Sequence, residues 1–128
     1  MLPGERRVLT PTATFQNQMT RAAILEKQGN AKGAAELRAK VLPTASEVEL
    51  NQFAYRLMGE KKIDEALKLF QANVDKHPDS SNAHDSLAEG LATKGDKAAA
   101  IAEYQKALAL AKEPAQKKRI EGQIAKLK

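Results

Sequence analysis

Apolar positions between residues 47 and 114 fall twice into the same order, one copy over 47–80 and the next over 81–114, a period of 34. Leu50, Phe53, Ala54 and Leu57 stand at i, i+3, i+4 and i+7, and the next copy places His84, Leu87, Ala88 and Leu91 at the matching positions. The second half of each copy carries Ala66, Leu67, Phe70 and Val74, matched by Ala100, Ile101, Tyr104 and Leu108. Steps of three and four residues put each set on one face of a helix. Large positions mostly stay large and small ones small, as required when each copy must fit against its neighbour.

The helical pattern continues on both sides. Met19, Ala22, Ala23 and Leu25 predict a helix from Thr14 to about Gln28, and Ala34, Leu37 and Val41 predict a second, stopped by Pro43. Gly29-Asn30 suits the turn between them, because glycine readily takes the left-handed conformation that ends a helix and Asn can cap the next one. Ser46-Glu47-Val48-Glu49 reads as a capping box, in which the Ser and Glu side chains satisfy each other's backbone donors. His77-Pro78 ends the fourth helix, and Gly95-Asp96 separates the fifth from the sixth. Pro114 fits a first helical position, and Ile120, Ile124 and Leu127 give a seventh helix one apolar face and a polar back. Residues 1–12, with Pro3, Gly4, Pro11 and several Thr, have no periodicity and read as a flexible lead-in. No alternating β-branched run occurs, so the expected fold is all-α.

A period of 34 built from two amphipathic helices resembles the tetratricopeptide repeat. Leu50, Phe53, Ala54, Leu57, Ala66, Phe70 and Pro78 carry the resemblance in one copy, and Leu87, Ala88, Leu91, Gly95, Ala100, Tyr104 and Ala107 in the next. The departures are Asn73 at a small position, His84 at a large apolar one, Lys112 where proline is usual, and Arg38 where the first pair should carry an aromatic. The resemblance implies a right-handed superhelix of about three helix-turn-helix pairs plus a C-terminal capping helix. It would form a single domain over 13–128: a degenerate repeat at 15–46, repeats at 47–80 and 81–114, and the cap at 115–127. Such a cap has a physical purpose, since the last pair of a stack otherwise leaves apolar surface in water. Thr20–Glu26, Glu49–Leu57, Ala72–Pro78 and Lys118–Leu127 are also similar to the C-terminal helical region of exported bacterial proteins whose N-terminal domain is uncharacterised. Similar repeats end some bacterial serine hydrolases. Both resemblances imply an appended module.

Tetratricopeptide repeats bind other proteins, and the first helix of each pair lines a concave groove. Carried onto this chain, the resemblance implies groove residues Met19, Val48, Asn51, Tyr55, Met58, Asn82, Asp85 and Glu89, with Gln16, Ala23, Glu26 and Ala92 beside them. Asn51 and Asn82 would pair with a peptide backbone, while Tyr55, Met58 and Met19 would supply apolar area. The implied function is a non-catalytic protein–protein interaction module. The alternative is a structural or oligomerisation appendage of a larger bacterial protein. Family members that hold chaperone C-terminal tails use a cationic clamp; here the matching positions are Met19, Ala23, Gln52, Asn82 and Ser86, which disfavours that partner.

Other chemistry finds little support. His84-Asp85-Ser86 has the letters of a catalytic triad, but consecutive helical residues point about 100° apart and cannot bond in series. Two isolated His and no Cys leave no zinc set, no disulfide and no thiolate, and no cofactor is expected. The net charge of +5 is spread: seven basic and three acidic residues lie before Glu47, five and seven over 47–80, nine and six after. Without a recognised motif or stacking aromatics, this disfavours nucleic acid, and Lys61-Lys62 and Lys117-Lys118-Arg119 read as solubilising. No stretch approaches the ~20 apolar residues of a membrane span, and the N-terminus lacks the apolar core of a secretory signal. Bacterial cytoplasm and periplasm both stay open; an exported chain would be mature sequence or a fragment.

Overall fold

A computed structural model describes residues 11–128, with side chains from Phe15 onward. Seven α-helices lie among the described residues: α1 (Pro11–Lys27), α2 (Ala31–Val41), α3 (Glu47–Gly59), α4 (Ile63–Lys76), α5 (Ser81–Lys94), α6 (Lys97–Leu110) and α7 (Pro114–Leu127). A short 3₁₀ turn, Leu42–Thr44, follows α2. Most of the expected lead-in lies outside the described residues, but Pro11 and Thr12 are helical, so α1 reaches further upstream than its apolar pattern. The chain divides into two compact units, Met1–Glu49 and Leu50–Lys128.

Three turns share one construction. The N–H of Asn30 donates to Leu25 O, that of Lys62 to Leu57 O and that of Asp96 to Leu91 O, each at 2.9 Å. Each bond closes the helix end around a left-handed residue, Gly29 (φ 86°), Lys61 (φ 65°) and Gly95 (φ 100°). Asn30 and Asp96 then cap the following helix by accepting from Gly33 N and Ala99 N. Lys61 and Lys62, read from sequence as solubilising, occupy the glycine and cap positions of the middle turn, and Lys62 makes no side-chain cap bond. The capping box at Ser46 is present: Ser46 N donates to Glu49 Oε1 at 2.9 Å, and Glu49 N to Ser46 Oγ at 3.1 Å.

In the first unit, α1 packs on α2, burying Phe15, Met19, Ala22 and Ala34. Arg38 of α2, which stands where an aromatic is usual, instead donates to Glu26 of α1 at 2.5 Å. In the second unit, α4 packs on α5, α5 on α6 and α6 on α7. The buried face of α4 is Ala66, Leu69, Phe70, Asn73 and Val74, again at steps of three and four. Leu67, which the sequence puts on that face, is only half-buried. Ala88, Tyr104, Ala107, Ala111, Ile120 and Ile124 form one buried cluster, with Ile101, Leu108 and Leu127 against it, so α7 covers the end of the last repeat. Gln116 of α7 donates to Ser81 Oγ at 3.1 Å, and Ser81 Oγ donates to Ala107 O at 2.8 Å, tying α7 to α5 and α6 through polar groups as well.

Candidate functional site

Helices α3, α5 and α7 of the second unit are stitched together along one polar face. The Tyr55 hydroxyl of α3 donates to Glu89 Oε2 of α5 at 2.6 Å and lies 3.2 Å from Ser86 Oγ. Arg119 of α7 donates to Asp85 Oδ2 of α5. Each link spans 34 residues, so both join equivalent places one repeat apart. The ring of Tyr55 is fixed from behind by Phe70 of α4, edge-on at 5.1 Å between centroids and 76° between planes.

Burial and charge shape this face. Asp85 is buried, only 7% exposed, and the half-exposed Arg119 is its charge partner. The hydrogen bond that Arg119 donates to Asp85 raises the guanidinium, holding it more firmly charged. The Tyr104 phenol is pushed up to about 12, first by burial and then by the neighbouring Asp85 and Glu89 carboxylates. Tyr55 is raised further, by burial first and then by its bond to Glu89. Both phenols therefore stay neutral near pH 7, and that of Tyr55 donates to Glu89. Glu89 is exposed and accepts the Tyr55 hydrogen bond, but forms no ion pair among the described residues.

The residues expected from sequence separate into three groups. Asn82 and Glu89 are exposed on α5, while Asn51, Tyr55 and Met58 are half-buried on α3. Asn51 Oδ1 is buried and has no hydrogen-bond partner among the described residues. Asp85 is buried and matched internally by Arg119. Met19 is 5% exposed, because Phe15, Met19 and Ala22 share the buried face of α1. Val48 is the opposite case, 60% exposed. Met19 and Val48 belong to the first unit. Arg119 is the residue that sequence reasoning missed; it stands 34 after Asp85, so continuing the period into the seventh helix would have found it.

The triad letters are engaged elsewhere. His84 is buried, with Nδ1 2.7 Å from Glu103 Oε2 and Nε2 2.8 Å from Pro78 O. Asp85 serves Arg119, and Ser86 faces Tyr55. A crevice of about 780 Å³ runs between α4 and α6, floored by Leu67, Leu87 and Leu91 and edged by Asp64, Lys68 and Lys94. Leu87 and Leu91 are two residues on from Asp85 and Glu89 and so point to the other side of α5. Among the described residues no group of three or more His, Cys, Asp or Glu is placed to hold a metal. No helix there is long and apolar enough to cross a membrane.

No protein-family model matches the chain. No curated protein matches it in sequence. Solved structures do. The type III secretion translocator chaperone SycD of Yersinia enterocolitica is 15% identical, with a TM-score of 0.61 over 88% of this chain and 89% of that one. PcrH of Pseudomonas aeruginosa, in complex with the chaperone-binding region of PopD, is 15% identical with a TM-score of 0.61 over 99% and 96%. The N-terminal domain of the stress-induced protein STI-1 from C. elegans is 15% identical with a TM-score of 0.54 over 89% and 97%. At such identity the likeness concerns the fold, which is all-α among the described residues and tetratricopeptide-like.

Proposed function

We propose that the chain is a non-catalytic protein-interaction module, and that the α3–α5–α7 face of residues 50–128 receives a peptide or an extended segment of a partner protein. The observation that carries this reading is the pair of links Tyr55–Glu89 and Asp85–Arg119. They align equivalent positions of α3, α5 and α7 on one surface, and such an alignment is what an extended ligand can follow. Exposed Asn82 and Glu89 and half-buried Asn51 and Met58 supply polar and adaptable apolar groups along it. PcrH, whose fold is similar, is seen with a bound region of PopD, which supports a protein ligand for this fold.

The test is site-specific photo-crosslinking in the source cells. A crosslinking residue at Met58 or Asn82 should yield partner adducts, while one at the exposed positions Glu65 of α4 or Gln105 of α6 should not. Adducts formed equally from all four positions, or only from Glu65 and Gln105, would remove this face from consideration.

A further inference from the structure

The face described above contains two carboxylates in unequal circumstances. Asp85 is buried and its charge is met by Arg119. Glu89, one helical turn further along α5, is exposed and receives only the neutral phenol of Tyr55. Three cations of these helices are committed to other carboxylates: Arg119 of α7, whose charge Glu89 also feels, bonds Asp85, Arg56 of α3 pairs with Glu60 at 3.3 Å and Lys94 of α5 with Asp64 at 2.8 Å. The acidic field here is also felt at Tyr104, whose phenol is raised by Asp85 and Glu89 together. A carboxylate that is held in place and forms no ion pair among the described residues favours a positively charged group arriving from outside.

The binding side of this carboxylate is organised. The Tyr55 bond takes Oε2 and leaves Oε1 with no hydrogen bond among the described residues, while the ring behind that hydroxyl is immobilised on Phe70. Met58 stands one turn beyond Tyr55 on α3, so the tyrosine ring and the thioether offer apolar surface for the methylene stem of a long cationic side chain. The neighbouring Asp85–Arg119 pair shows the same meeting of carboxylate and guanidinium within the fold itself.

We infer that Glu89, held by Tyr55, anchors a Lys or Arg side chain of the segment that binds the α3–α5–α7 face. The inference rests on the proposed function and adds the chemistry of the ligand: a basic residue at the point where the segment crosses from α3 to α5. The charge is opposite to that of a cationic clamp for carboxylate tails.

A random peptide library displayed on phage supplies the probe, panned on the full chain and on three variants, Glu89→Gln, Glu89→Lys and Glu65→Lys. The wild-type chain should enrich peptides containing Lys or Arg. Glu89→Gln keeps an acceptor for Tyr55 but removes the charge, and should weaken those peptides about fivefold, the scale of one exposed ion pair. Glu89→Lys should exchange the preference for Asp and Glu, and Glu65→Lys, on the exposed surface of α4, should leave it as it is. Circular dichroism melts of each variant confirm that the compared proteins are folded. Enriched peptides without a basic bias, or a basic bias unchanged in both Glu89 variants, would overturn the anchor. If in addition Asn82→Arg does not reduce binding of the same peptides, the peptides bind elsewhere and the proposed face falls as well.

Discussion

Asp85 and Arg119, 34 residues apart, form an ion pair in which the carboxylate is buried and the guanidinium is half exposed. The pair gives α7 two attachments to the last repeat. Ile120 and Ile124 enter the apolar cluster, while Arg119 crosses to α5 on the polar face. A buried carboxylate that loses its partner keeps its desolvation cost without the compensating bond.

Arg119→Gln should therefore destabilise the protein by about 1–3 kcal/mol. Lys117→Gln with Lys118→Gln, both at exposed positions without an ion pair among the described residues, should change it by less than about 0.5 kcal/mol. From sequence the three basic residues look interchangeable. Urea melts of the two variants decide the matter: equal midpoints would mean that Asp85 gains nothing from Arg119.

The two tyrosines are the only ones in the chain, which makes alkaline titration easy to read. Tyr104 is raised from the ordinary 10.0 to about 12, and Tyr55 is raised as well. A group whose pKa is higher in the folded protein contributes stability that is complete below its unfolded pKa. That contribution is lost as pH climbs through the folded value. Stability from the phenols should therefore be intact below pH 10 and fall between about pH 10 and 12. Near-ultraviolet phenolate absorbance, followed beside circular dichroism, should show little ionisation at pH 10 while the helices persist. Half-ionised tyrosine at pH 10 in a folded sample would contradict the burial of both hydroxyls. Tyr55→Phe isolates the Tyr104 curve.

Much of this architecture could be read directly from the residues. The helices follow from apolar spacing, and two of the three glycine-type turns follow from Gly29-Asn30 and Gly95-Asp96, because their chemistry is local. The face was legible only in part. Asn82 and Glu89 are exposed, while Asp85 is buried and paired with a residue 34 positions away that a list of groove positions does not contain. Met19 shows the same limit in reverse, since an apolar residue at a groove position can equally join the core, and here it does. Long-range pairing decides both cases. Local pattern does not encode it.

Ile120 is fully buried at the centre of the terminal cluster. Ile120→Ala should cost about 2–5 kcal/mol through lost transfer energy and the cavity left behind. Ending the chain after Lys112 should have a larger effect, exposing Tyr104, Ala107 and Ala111 and promoting association. Calorimetry with sedimentation of the truncated chain checks this. A monomer that melts like the full chain would show that α7 is dispensable to the fold.

Two helical glycines should respond oppositely to alanine. A Cβ at Gly90 would lie 2.9 Å from Leu67 Cδ2 and 3.0 Å from Phe70 Cδ2, and the Phe70 ring is fully buried. Gly90→Ala should then cost about 1–3 kcal/mol despite the better helix propensity of alanine. A Cβ at Gly122 meets nothing within 4 Å, so Gly122→Ala should stabilise by about 0.5–1 kcal/mol. If both variants gain stability, α4 and α5 yield at their closest approach more easily than a packed core should.

The middle turn is the one place where the repeat carries the wrong residues for its own geometry. Lys61 holds φ 65° where Gly29 and Gly95 hold 86° and 100°. For a residue with a Cβ this conformation costs about 1 kcal/mol or more, and glycine escapes most of that cost while losing some in unfolded-state entropy. Lys62 has φ −95° and ψ 63°, close to Asn30 at −99° and 68° and Asp96 at −87° and 79°. Those two accept from the backbone three residues on, so an Asn at 62 should reach Glu65 N in the same way. The ion pair given up is Lys62 to Glu60 at 3.6 Å on the surface, which contributes little. Lys61→Gly with Lys62→Asn should stabilise the protein by about 1–2 kcal/mol in sum. Because the two sites act through different terms, backbone strain and an unmet donor, each single variant should supply about half. Thermal melts of both singles and the double test this, and a drop in melting point for Lys61→Gly would mean that the left-handed turn at 61 is relaxed in solution.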